Sequence, residues 1–201
     1  MKVTYNPDHE VTSAAALEAT GQSLESWFAA LDAQGGVAQG RKALAEYLFK
    51  ERKVDAWWTS TLAVEYEKAR GAVEKDSFIR GYNICVTKTA TAAPAKIYDA
   101  LLDAGAWMGT KAKVDMKEGG VFDDGDGHQG VFTRLAPGKT MKFTWAGKGH
   151  QSVEEVEIKF TVTGPKTSIV LNHTRLPDRA AADGMRAAWS KALDVIKEKV
   201  A

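Results

Sequence analysis

The chain has 201 residues, 44% of them hydrophobic and 26% charged, the balance of an ordinary globular protein with room for one large domain or two small ones. A formal net charge of +1 gives no general attraction to phosphate backbones or acidic lipid, so neither nucleic acid nor a membrane surface is an expected partner. A lone cysteine, Cys85, excludes an internal disulfide framework. No apolar run approaches the roughly 20 residues that span a bilayer, and no signal-peptide core follows Lys2, so a cytoplasmic location is expected.

The first third reads as helices. A short helix is expected over about 13–19. Ser23 caps a second over 24–34, with Leu24, Trp27, Phe28 and Leu31 at helical spacing, and Gly35-Gly36 stops it. A third is expected over 41–52 with Leu44 and Leu48 inward. Asp55 caps a fourth over 56–70, which Gly71 ends. Trp57 and Trp58 are adjacent and cannot both face one core, so one of them must meet another surface, a second domain or a partner.

Beyond residue 75 the pattern changes to alternation, which places a domain boundary there and divides the chain into 1–75 and 76–201. Strands are expected over 82–89, 112–117, 130–135, 140–146, 153–162 and 168–174. A helix starting at Pro94 runs over 95–104, Trp107-Met108-Gly109 falls in a turn-rich join, and a long helix closes the chain over 180–200. Val156, Ile158, Phe160 and Val162 point one way and Glu155, Glu157 and Lys159 the other. Met141, Phe143 and Trp145 repeat the rule. A sheet with one wet face must bury the other, and the closing helix, with Met185, Trp189, Leu193 and Ile196 along one side, is the available cover. The class is α+β.

Several residues resemble a known family. Pro137-Gly138-Lys139 followed by Met141, Phe143 and Trp145 is similar to a segment of the activator-of-heat-shock-protein-90-ATPase homologue family, in the START-like (SRPBCC) superfamily. Thr167 to Leu176, then Trp189 before Ala192-Leu193, resembles that family's last strand and closing helix. Ser26-Trp27-Phe28, Trp57-Trp58 and the run Glu65 to Gly71 resemble a small helical domain of unknown function that precedes START-like domains. The resemblance covers about 78–201 and implies a helix-grip fold: a curved antiparallel sheet around a long C-terminal helix, with an elongated cavity between them. The acidic run Asp123-Asp124-Gly125-Asp126-Gly127 departs from the family's pattern and bears on the cavity mouth.

That fold makes the apolar set Trp107, Met108, Phe143, Trp145, Met185 and Trp189, with His173, the candidate ligand-binding residues. His173 shares a strand face with Ile169 and Leu171. Asn172 and Arg175 are the nearest other polar groups, with Asn172 on the opposite face. The expected partner is a hydrophobic small molecule. Two alternatives are a cyclase- or hydrolase-type enzyme using His173 as acid–base, and an interaction or co-chaperone-like module, with homodimerisation left open.

Asp123, Asp124, Asp126 and His128 do not make a calcium loop. Counted from Asp124, the sixth residue is Gln129 and the twelfth Leu135, where glycine and glutamate are needed. A solvated hairpin turn is expected instead. Gly35 and Gly40 before Arg41-Lys42 lack the Lys-Ser/Thr of a phosphate loop. Cys85 is expected to be an inert small apolar residue within its strand. No metal and no cofactor is implied.

Overall fold

The computed structural model describes residues 1–147 and 154–201, and the chain forms two compact units. Pro7–Tyr82 make one; Met1–Asn6 together with Asn83–Ala201 make the other. No helix among the described residues is long and apolar enough to cross a membrane.

The first unit is helical. Helix α1 (Ser13–Thr20) is capped by Thr12 and closed by Gly21 in the left-handed region, φ 78°. Helix α2 (Leu24–Ala33) is capped by Ser23 as expected. The single helix expected over 41–52 is two pieces, α3 (Gly40–Glu46) and a π-helical turn at Tyr47–Glu51, where the Arg52 N–H reaches the Tyr47 carbonyl at 3.0 Å; a 3-10 turn at Gly36–Gln39 precedes them. The wider turn carries Leu48 into the same core as Leu44.

Helix α4 (Ala56–Ala69) starts where Asp55 accepts the Trp57 and Trp58 backbone N–H groups. Trp58 is buried with Trp27, Leu31, Leu44, Leu62 and Tyr66. Trp57 stays half-exposed, its ring edge-on to His9 at 4.9 Å and to Trp58 at 5.0 Å. The second surface demanded by the tryptophan pair is thus supplied in part by the helical unit's own His9. Glu67 is wholly buried and answered by Arg41, whose Nε donates at 2.6 Å, and by Arg80 at 3.1 Å. A buried carboxylate left without those cations would be strongly destabilising, and this is where Arg41 is used.

The second unit is a seven-stranded antiparallel sheet curved around one long helix. Its strands are β1 (Tyr82–Ala90), β2 (Lys113–Val114), β3 (Val121–Asp123), β4 (Gln129–Ala136), β5 (Thr140–Trp145), β6 (Glu154–Thr163) and β7 (Lys166–Leu176), in the spatial order β1-β7-β6-β5-β4-β3-β2. Helices α5 (Pro94–Leu102) and α6 (Ala104–Met108) follow β1, and α7 (Arg179–Lys199) closes the chain. This is the helix-grip arrangement.

Alternation along the strands makes it. Met141, Phe143 and Trp145 of β5, Val156 and Ile158 of β6, and Ile169, Leu171 and His173 of β7 are all buried, in register across the sheet. Helix α7 begins at Asp178, whose carboxylate accepts the Ala181 N–H at 2.8 Å, and ends with Lys197 and Lys199 near the negative end of its dipole. Between those ends Met185, Trp189, Leu193 and Ile196 are buried.

Some expectations need correction. The strand expected over 112–117 shrinks to Lys113–Val114, and the short strand at Val121–Asp123 was not anticipated. Trp107 and Met108 sit on a helical turn rather than in a loose join. Apolar alternation on β6 fails beyond Ile158: Phe160 is only half-buried and Val162 is exposed, because that end of the strand outruns the cover. Cys85 is exposed on β1 rather than packed inside. The expected start of a strand at Val153, and Lys148-Gly149 of a turn, lie outside the described residues.

Candidate ligand site

The seven candidates, Trp107, Met108, Phe143, Trp145, His173, Met185 and Trp189, are all buried in the sheet-and-helix unit. Five of them form one continuous ring cluster. Trp189 of α7 lies 5.2 Å from Trp145, 5.8 Å from Trp107, 6.1 Å from His173 and 6.2 Å from Phe143, between ring centroids. Phe122 of β3 and Phe132 of β4 extend it at 5.3 Å from Trp145 and 5.6 Å from Phe143 respectively. The tilted and edge-on geometry of these pairs is what aromatic quadrupoles favour. Met108 on α6 and Met185 on α7 bring no polar atom beyond a thioether.

Two polar chains enter this aromatic interior. In the first, the Trp189 indole Nε1–H donates to His173 Nδ1 at 3.0 Å, and His173 Nε2 faces Glu154 Oε2 at 2.7 Å. An indole is a donor only, so Nδ1 must accept, and the ring proton sits on Nε2, the nitrogen within ion-pair distance of the carboxylate. All three side chains are wholly buried. Both ring nitrogens of His173 are therefore engaged, and neither offers a lone pair to a substrate.

In the second chain, Asp124 closes the hairpin between β3 and β4. Its Oδ1 accepts the Asp126 and His128 backbone N–H groups at 2.8 and 2.9 Å, and its Oδ2 meets His128 Nδ1 at 2.5 Å and the Met1 amino group at 2.8 Å. Burial pushes the Asp124 carboxyl up, but those donors outweigh it and hold the group below its ordinary range. An ionised Asp124 accepts only, so His128 carries its proton on Nδ1 and its Nε2 accepts from the Tyr5 hydroxyl at 2.6 Å. Tyr5 is pushed up to about 12, by burial first and then by the carboxylates of Glu154, Asp124 and Asp178.

The His128 imidazole stacks on Trp145 at 5.0 Å, joining this chain to the ring cluster. The hairpin has the turn chemistry expected of it and its tip, Gly125 to Gly127, is exposed, but the two residues flanking the tip are covered: Asp124 and His128 are 1% and 2% exposed.

Trp145 holds the remaining polar atom. Its ring is wholly buried, and its Nε1–H has no acceptor among the described residues. Trp107, by contrast, donates its own indole N–H to the Leu101 carbonyl at 2.9 Å.

Segment Met1–Asn6 reaches this region and meets α7 at Gly184 through Thr4 and Tyr5. Gly184 permits the approach: a methyl there would overlap the Thr4 carbonyl and press on the Tyr5 backbone. On the other side of the sheet, a groove of about 300 Å3 is lined by Lys142, Glu155, Glu157 and Asn172, which puts Asn172 away from His173 as strand parity requires. Arg175 has φ 67°, and its backbone N–H is held by Asn83 Oδ1 at 3.2 Å. Among the described residues no group of three or more His, Cys, Asp or Glu side chains is placed to hold a metal ion.

Parity could have disclosed Glu154, which shares its face of β6 with Val156 and Ile158. Nothing local marks Tyr5, whose role depends on a fold-back more than 120 residues along the chain.

Comparison with solved structures places the fold. CalU16 from Micromonospora echinospora is 22% identical with a TM-score of 0.52, over 59% of this chain and 76% of that one. Protein MLL2253 from Mesorhizobium loti is 20% identical with a TM-score of 0.51, over 59% and 96%. The Aha1 dimer from Colwellia psychrerythraea is 22% identical with a TM-score of 0.50, again over 59% and 96%. No curated protein matches the sequence. The family profile described as "Activator of Hsp90 ATPase homolog 1-like protein" matches residues 91–201, which is more than half of the chain, and the chain belongs to that family.

Proposed function

We propose that the sheet-and-helix unit binds an apolar small molecule between its sheet and α7. The observation that supports this is the make-up of that interior: one aromatic wall, from Trp107 through Phe143 and Trp145 to Trp189, with a few directed polar groups set into it. Ligand sites share that composition, and a core selected for stability alone has no need of a buried Glu154–His173 pair. Trp145, His173 and Trp189 already touch one another, so a guest must part the rings to enter. Its apparent affinity is lowered by the cost of that opening. Acid–base catalysis by His173 is disfavoured by the engagement of both its nitrogens.

The test is titration with the neutral fluorescent ketone 6-propionyl-2-(dimethylamino)naphthalene. A blue-shifted emission saturating at one equivalent of protein is expected. Emission unchanged from that in water, at protein concentrations near 0.1 mM (a Kd of that size corresponds to about −5.5 kcal/mol), rejects the reading.

A further inference from the structure

The orphan N–H of Trp145 narrows the chemistry of the guest. A buried donor with nothing to donate to forfeits its hydration without replacement, and native interiors seldom tolerate one. Here it lies at the centre of the ring cluster, between His128 stacked on one side and Trp189 edge-on at 5.2 Å. Every other indole or imidazole nitrogen around it is committed: Trp107 to Leu101, Trp189 to His173, His173 to Glu154, and His128 to Asp124 and Tyr5. Among those rings, in the described residues, Trp145 Nε1–H is the donor with neither a hydrogen bond nor an ion-pair contact, whereas His173 Nε2 has Glu154 Oε2 at 2.7 Å.

From this we infer that the ligand is a neutral, apolar molecule carrying a carbonyl-type oxygen, which accepts the Trp145 Nε1–H. The inference rests on the binding role proposed above and adds the ligand's chemical class. Neutrality follows from the surroundings. The Glu154 and Asp124 carboxyls are buried beside the rings, and the cation beside them, the Met1 amino group, is already held by Asp124 at 2.8 Å, so an anion brought among them would be desolvated next to like charge. A hydrocarbon would bury as much apolar surface and leave the indole unsatisfied. A ketone, ester or lactone of similar shape would not.

The experiment compares 2-acetylnaphthalene, its hydrocarbon isostere 2-isopropylnaphthalene and the anion 2-naphthoate on the full chain by ligand-observed NMR. Loss of one net hydrogen bond predicts that the ketone binds about three- to tenfold tighter than the hydrocarbon, with the carboxylate weakest. In Trp145→Phe the ketone's lead should fall to about one, while the hydrocarbon still binds. Since that variant also leaves space in the core, the wild-type chain supplies a second readout: the Trp145 indole N–H proton should move downfield with the ketone and not with the hydrocarbon.

Equal affinities for ketone and hydrocarbon with no indole shift overturn the inference and leave binding itself intact. So does a ketone preference that survives Trp145→Phe, or naphthoate binding as tightly as the ketone. Failure of all three compounds to bind removes the binding role and the inference together.

Discussion

Tyr5 shows how a single side chain is set by neighbours far away in sequence. Its hydroxyl donates to His128, and burial together with three carboxylates disfavours the phenolate, lifting the group from 10.0 to about 12. A pKa raised on folding means that the native state holds its proton more tightly than the unfolded chain does. The associated stability is complete below pH 10 and is lost as the pH climbs from about 10 towards 12. Denaturant unfolding of the wild type should accordingly show a midpoint falling across that window, and Tyr5→Phe should flatten the fall. Equal slopes for the two proteins would contradict the placement of Tyr5. Asp124 has the opposite sign: its lowered carboxyl supports the fold at neutral pH and ceases to do so as acid drives the pH down through its native value.

At the scale of elements, the strap Met1–Asn6 and helix α7 depend on each other through one missing side chain. Gly184 is helical, so alanine there should favour the helix by about 1 kcal/mol on propensity alone. The added methyl, however, overlaps the Thr4 carbonyl, a backbone atom that cannot swing aside. Gly184→Ala should therefore destabilise the unit by about 1–3 kcal/mol and displace Tyr5 from His128. Urea unfolding, with the His128 ring resonances as a local probe, checks both; a more stable protein with unchanged His128 signals would refute the close approach.

The long elements were legible in the residues because pattern and caps agreed. Ser23 and Asp55 sit at helix starts, and parity along β5 and β7 put Phe143, Trp145 and His173 inside. What escaped had no period to read: a two-residue β2, a three-residue β3, and a π-helical turn that looks like ordinary helix. The Asp-rich hairpin was rightly read as a turn, but a turn's composition says nothing about whether the fold covers it.

For the whole molecule, membership of the Hsp90-ATPase-activator-homologue family accounts for strands β2 to β7 and the gripped helix, over residues 91–201, with β1 ending just before that span. Tyr5 lies outside that span, yet it completes the polar chain ending on Trp145. Phe143, Trp145, His173, Met185 and Trp189 could be named from the sequence because they lie on long periodic elements, whereas Trp107 and Met108 lie on a five-residue helix. Their hydrogen-bond partners could not, because Glu154, His128 and Tyr5 come together only in three dimensions.

The central claim is that a guest lodges between the sheet and α7, among Trp107, Phe143, Trp145 and Trp189. The most direct test is a crystal of the protein soaked with 6-bromo-2-acetylnaphthalene, with the bromine located by its anomalous scattering. The account predicts one strong peak inside that ring cluster, with the rings moved apart around it. Bromine found only in the outer groove beside Lys142 and Asn172, or nowhere in the unit, would contradict it.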